Sequence, residues 1–187
     1  MATSLNWFTA AELDQLIAQA ESLPMRDAAP YSGSRQVRQD FQICFPAPRT
    51  GALESVCAML EQASRALHLA PAANGMAVSP FEKPPVFDDL AVQSYPAGSA
   101  GIGIHRDSSR YRHLVVIITL AGKSRFSLVE DRAGGNPTIM DDSPGRLLLL
   151  SAPGFAGREA AGASPLHKVD RVTGGRLSIG LRCQETS

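Results

Sequence analysis

Tyr95-Pro-Ala-Gly-Ser-Ala-Gly-Ile-Gly-Ile-His105-Arg106-Asp107, followed after Ser-Ser-Arg-Tyr-Arg by His113-Leu-Val-Val-Ile-Ile-Thr119, is the stretch on which the fold of this chain turns. A glycine-rich approach delivers an imidazole and a carboxylate two residues apart, and an apolar β-branched run follows. Side chains at i and i+2 of a strand point to the same side. A His-x-Asp at a strand end can therefore aim both groups at one point. A solvated loop would hold the same triplet with no such convergence.

Two histidines and one carboxylate on one face form the set that holds non-haem Fe(II) and leaves positions open. His105 and Asp107 supply two of the three, and His167 is the remaining candidate downstream. It is followed by Arg171 and then by Arg176-Leu-Ser-Ile-Gly-Leu-Arg182. Leu177, Ile179 and Leu181 alternate there with Arg176, Ser178, Gly180 and Arg182, which predicts a strand with one apolar face. Guanidinium groups beside small residues suit bidentate capture of a carboxylate. An edge strand with ordinary surface charges would show the same pattern.

Composition narrows the class. A chain of 187 residues predicts one domain. Its 18 basic and 18 acidic residues cancel, so it lacks the global basic footprint of a nonspecific nucleic-acid binder. Cys44, Cys57 and Cys183 are an odd number without a Cys-x-x-Cys, and read as reduced thiols of a cytoplasmic protein. Met1 to Trp7 lacks a basic segment leading into an apolar core, so no secretory signal is expected. The apolar runs near Leu114 and Leu147 are too short to cross a bilayer, and no membrane role is expected.

Thr9-Ala-Ala-Glu12 is a capping box, and Leu13, Leu16, Ile17 and Ala20 continue it as an amphipathic helix that Pro24 ends. Arg35 to Phe45 alternates in part and predicts a strand or hairpin with Val37, Phe41 and Ile43 on one side. From Thr50, the residues Leu53, Val56, Leu60, Ala63 and Leu67 mark a second helix, with His68 at its C-terminal end. Short strand-like runs follow at Asp89 to Tyr95, Leu114 to Leu120, Ser124 to Val129, Arg146 to Leu150 and Arg176 to Arg182. The expected class is α+β, with a jelly-roll core and N-terminal helices packed on one sheet. The helices and a lid would fill residues 1–88 and the core residues 89–183.

The ordered pattern His105-x-Asp107, His167, Arg176-x-Ser178-x-x-x-Arg182 resembles the Fe(II)- and 2-oxoglutarate-dependent dioxygenases. Gln93-Ser94-Tyr95 before the metal motif, and the arginine pair, are most similar to the AlkB-like branch. The likeness covers Ala91 to Arg182 well and the first part loosely. It implies a double-stranded β-helix with Fe(II) held by His105, Asp107 and His167. It also implies that Arg176, Tyr95, Ser178 and Gln93 meet the distal carboxylate of 2-oxoglutarate, with Arg182 near its other end. Dioxygen would be the second cosubstrate. Halogenating relatives replace the carboxylate, so Asp107 implies oxygen insertion or dealkylation. Whether Arg171 or Arg176 is the anchor is open; Arg176 begins the alternating strand and is preferred.

The expected reaction is hydroxylation of a small polar or anionic molecule. Oxidative dealkylation of nucleic acid stands second, because Ser109 occupies a position that is acidic in the DNA-repair members. A non-catalytic jelly-roll metal-binding protein stands third. Arg106, Arg110, Tyr111 and Arg112 crowd the metal motif and are candidates to steer an anion, or else form a solvated loop. Arg35 and Arg38 could join them or be plain strand charges. Ser151 to Pro165, rich in Gly and Ala, could be a lid or a simple connection. His113 reads as a satisfied structural histidine.

Overall fold

The computed structural model describes residues 1–159 and 162–184. In chain order the elements are β1 (Ala2–Asn6), α1 (Ala10–Glu21), β2 (Arg26–Asp27), β3 (Tyr31–Ser32), β4 (Val37–Asp40), β5 (Gln42–Cys44) and α2 (Gly51–Leu69). They continue as β6 (Asp89–Tyr95), β7 (Gly101–His105), β8 (Tyr111–Gly122), β9 (Arg125–Val129) and β10 (Thr138–Met140). The last are β11 (Arg146–Ser151), β12 (Leu166–Asp170) and β13 (Arg176–Gln184). Two antiparallel sheets result, ordered β1-β11-β8-β13-β6-β5-β2 and β10-β9-β12-β7-β4-β3. Two antiparallel sheets with two helices fit a jelly-roll fold.

The sequence dictates which sheet is wrapped by helices. Val116, Ile118, Leu120, Leu177, Ile179 and Leu181 form one cluster with Leu16, Ala20, Leu53, Val56 and Leu60 of the helices. Val115, Leu148 and Leu150 point the other way, into a second cluster with Phe126 and Val169 of the smaller sheet. Both faces of β8 are thus covered, which explains why its sequence is a continuous apolar run and not an alternation. Ile179 is 0% exposed at the centre of the helix-facing cluster. Ile179→Ala is expected to cost about 2–5 kcal/mol by urea denaturation; a loss under about 1 kcal/mol would show that this layer does not carry the fold.

Thr9 caps α1 as its sequence predicts: its side chain accepts from the Glu12 backbone N–H, and Glu12 bonds back to Thr9. α2 lacks a side-chain cap of its own. Gln19 of α1 supplies one, with Nε2 donating to Thr50 O at 2.7 Å and Oε1 accepting from Leu53 N at 3.2 Å.

The Arg35 to Phe45 segment is not one strand. β4 belongs to the smaller sheet and β5 to the larger, and buried Phe41 marks where the chain changes layers. Its ring lies 4.8 Å from that of Tyr95, inside the sandwich. Alternation breaks at such a crossing, so periodicity cannot describe it. β1, β7, β10 and β12 are short and were not separable from loops by pattern. Cys44, Cys57 and Cys183 are all buried free thiols. Among the described residues no helix is long and apolar enough to cross a membrane.

Candidate active site

β7 and β12 lie side by side, and their register places His167 directly opposite His105. Directly opposed residues on an antiparallel pair share a face. Sixty-two positions of sequence are thereby reduced to a ring-centroid separation of 4.2 Å. Gly101 makes the approach possible. Its φ is +78°, and a Cβ there would fall 2.0 Å from the Val169 carbonyl oxygen, so the glycine-rich entry has a steric cause. Phe126 stacks on His167 at 5.3 Å and fixes the plane of that ring.

Asp107 lies just beyond the end of β7, not within it. Its Oδ2 reaches His167 Nε2 at 3.6 Å, with the carboxylate 9% and the ring 4% exposed. Its Oδ1 accepts from Arg182 Nε at 3.2 Å. Burial alone would raise the Asp107 pKa, but Arg182, His167 and His105 outweigh it and hold the group below the usual carboxylate range. His105 is pushed down to about 4, chiefly by burial and then by His167, so it is neutral at pH 7.

The donor chemistry fits a divalent metal. His105 Nδ1 lies 2.8 Å from Gly103 O, and His167 Nδ1 lies 3.1 Å from Pro165 O. A carbonyl oxygen only accepts, so each Nδ1 carries a proton, and the neutral His105 keeps its lone pair at Nε2. This is how metal-binding histidines are oriented by a second contact. The three side chains converge without closing into a cage. Among the described residues no three His, Cys, Asp or Glu side chains already stand in a metal-gripping arrangement. Asp107 is turned toward Arg182 instead.

Gln93, Tyr95, Arg176 and Arg182 face the same cavity from the larger sheet, while Ser178 is buried and not part of its lining. β13 is not an edge strand; it runs between β8 and β6. Its register sets Arg176 opposite Tyr95 and Ser178 opposite Gln93. Arg176 is 3% exposed. Its Nη1 donates to Thr119 Oγ1 at 3.1 Å, its Nη2 lies 3.7 Å from Asp142 Oδ2, and its Nε has no partner among the described residues. Burial works against the Arg176 charge, with Tyr95 and Asp142 opposing. Tyr95 donates to Gln93 Oε1 at 3.3 Å and is pushed up to about 12 by burial, so it stays a phenol. Arg171, by contrast, is exposed in the turn before β13.

The cavity between the sheets has a volume of about 450 Å³, and His105, Asp107, His167, Gln93, Tyr95, Arg176 and Arg182 all line it. Arg106, Arg110 and Tyr111 line it too. Arg110 is committed to Asp89, with Nη2 at 2.9 Å from Oδ2. Arg112 forms a two-point pair with Glu159 at 2.9 and 2.7 Å, and neither it nor Arg38 is among the lining residues. His113 packs edge-on to Phe81 at 5.9 Å. Its buried Nδ1 faces the Gly154 backbone without a hydrogen bond of good geometry, and the ring has a packing role. Thr119 and Asp142 behind Arg176, and Phe126 against His167, carry no local sequence signal; they become neighbours only through strand pairing.

No family model matches the chain, and no curated protein matches it. Solved structures do. An oxidoreductase of the 2OG-Fe(II) oxygenase family from Burkholderia pseudomallei superposes with TM-score 0.66 at 15% identity, over 99% of this chain and 84% of that one. The viral collagen prolyl hydroxylase of Paramecium Bursaria Chlorella virus-1, in its 2OG complex, gives TM-score 0.66 at 13% identity, over 99% and 96%. OsALKBH1 gives 0.65 at 15% identity, over 97% of each chain. The chain is similar in fold to 2OG-Fe(II) oxygenases of more than one branch.

Proposed function

We propose that this protein is an Fe(II)- and 2-oxoglutarate-dependent dioxygenase that hydroxylates a small polar or anionic molecule. The observation that carries the reading is the meeting of His105, Asp107 and His167 in one cavity with buried Arg176. The chain forms a single catalytic domain: residues 89–183 carry a double-stranded β-helix core with the candidate ligands, and residues 1–88 add the two helices and strands β1 to β5 to its sheets. Its buried free thiols support a cytoplasmic setting.

His105, Asp107 and His167 would hold the Fe(II), which when bound supplies dioxygen activation coupled to conversion of 2-oxoglutarate to succinate and carbon dioxide. Arg176 meets the distal carboxylate of the cosubstrate, with Tyr95, Ser178 and Gln93 beside it. Arg182, 3.2 Å from Asp107 Oδ1, keeps that carboxylate ionised. Ile102, Ile117, Phe126 and Val169 line the cavity and exclude water from the reacting centre.

Asp142 is the fixed countercharge of Arg176 when no cosubstrate is present. Asp142→Asn, which keeps the shape and a polar partner, is expected to destabilise the free protein by about 1–3 kcal/mol. Saturating 2-oxoglutarate should then raise the melting temperature of the variant more than that of wild type. Equal ligand-induced shifts would mean that the two carboxylates do not share the guanidinium.

Incubation with Fe(II), ascorbate, dioxygen and 2-oxoglutarate tests the proposal, with slow succinate release expected even without a second substrate. No succinate above the metal-free control would leave the third reading, a non-catalytic metal-binding protein. The fold likeness to OsALKBH1 supports AlkB-type dealkylation of nucleic acid as the second reading. Binding of a methylated oligonucleotide with a steep salt slope would promote it.

A further inference from the structure

Arg106 and Arg110 line the cavity and Arg35, Arg112 and Arg132 lie on segments near it; these arginines are of two kinds. Arg110 and Arg112 are each neutralised by a carboxylate, Asp89 and Glu159. Arg35, Arg106 and Arg132 make no ion pair among the described residues. Backbone carbonyls hold two of them instead. Arg106 Nε donates to Ser164 O at 2.8 Å, and Arg132 Nη1 donates to Ile104 O at 3.3 Å. Ile104 directly precedes His105, and Ser164 lies just before β12, which carries His167. Both guanidinium groups are therefore fastened next to the strands that bear the imidazoles, with most of their N–H donors still free.

Arg35 joins them from the turn between β3 and β4, since β4 pairs with β7. Arg132 is held below its ordinary range by desolvation first, then by repulsion from Arg35 and Arg106. Three like charges without a counterion work against the free protein. Arg106 shares the cavity lining with Ser32, Gln39 and Ser108, which add neutral hydrogen-bonding groups.

We propose that Arg35, Arg106 and Arg132 form the subsite that binds a carboxylate or phosphate group of the small molecule to be oxidised. This rests on the oxygenase reading only for which end of that molecule faces the metal ligands. A nucleic-acid strand would call for a track of free cations along its backbone. Here three further arginines are spent on the protein's own acids: Arg110 on Asp89, Arg112 on Glu159, and Arg125 on Asp170 at 2.6 Å. One compact cluster suits one anionic group.

The test is calorimetric titration of the full chain at low ionic strength, with and without saturating 2-oxoglutarate. The probes are glycerol phosphate, glutarate and a short oligothymidylate. With 2-oxoglutarate present, one of the two small anions should still bind, and which one it is tells phosphate from carboxylate. Arg106→Ala and Arg132→Ala should each weaken that binding about tenfold or more, while Arg65→Ala on the exposed side of α2 leaves it unchanged. Failure of both small anions to bind overturns the proposal, as does equal binding by Arg132→Ala. Tighter binding of the oligothymidylate with a steep salt slope overturns it in favour of nucleic acid. If 2-oxoglutarate itself fails to bind while the anion does, the oxygenase reading falls and the subsite stands.

Discussion

Replacing His167 with alanine is expected to lower succinate release from 2-oxoglutarate by about a thousandfold or more. Loss of a residue that merely orients a metal ligand commonly costs 10- to 100-fold, and loss of a ligand itself should cost more. His167 is the most informative of the three. It is almost fully buried, clamped by Phe126 on one side and by Pro165 O at Nδ1, and presents Nε2 toward Asp107. Its ring has no other evident employment. His105→Ala should fall by a similar factor, because the two rings face each other across one strand pair. Succinate assays at several Fe(II) concentrations would separate weakened metal binding from a dead site. Turnover within about threefold of wild type in both variants would end the oxygenase reading.

The second large effect is expected at Arg176. Arg176→Ala should raise the KM for 2-oxoglutarate about 100-fold or more, with a smaller change in kcat. Truncating one partner of a buried charge pair costs about 3–5 kcal/mol, and every 1.4 kcal/mol is a factor of ten in affinity. Arg176→Lys should recover part of the loss, since it keeps the charge and gives up the planar fork. Arg171→Ala is the comparison that matters: its side chain is exposed and should leave KM within about twofold. A larger rise for Arg171→Ala than for Arg176→Ala would move the anchor to the turn. Because Asp142 would be stranded by Arg176→Ala, thermal unfolding of each variant should accompany the kinetics.

How much of this was legible in the sequence depends on the physical origin of each feature. The capping box at Thr9 and the apolar stripe of α2 are local signals, and both helices stand where the pattern puts them. The alternation of Arg176 to Arg182 revealed a strand with two unlike faces. It could not reveal that the polar face points inward, because a buried polar face and a solvated one share the same period. Only the pairing of β13 between β8 and β6 decides that. His105 and Asp107 were readable as a pair, but their nearness to His167 is a matter of register between β7 and β12. Thr119 and Asp142 behind Arg176, and Arg132 against the Ile104 carbonyl, were invisible for the same reason. Arg110 and Arg112 looked like free cations because their partners, Asp89 and Glu159, are distant in sequence.

The proposed function requires His105 of β7, Asp107 just beyond that strand and His167 of β12 to share one ferrous ion. Anaerobic Fe(II) titration by equilibrium dialysis measures this directly and needs no turnover. Wild type should bind one Fe(II) per chain, and His167→Ala should lose that binding while remaining folded. Saturable, equimolar Fe(II) binding by wild type and variant alike would contradict the claim, as would no binding by either.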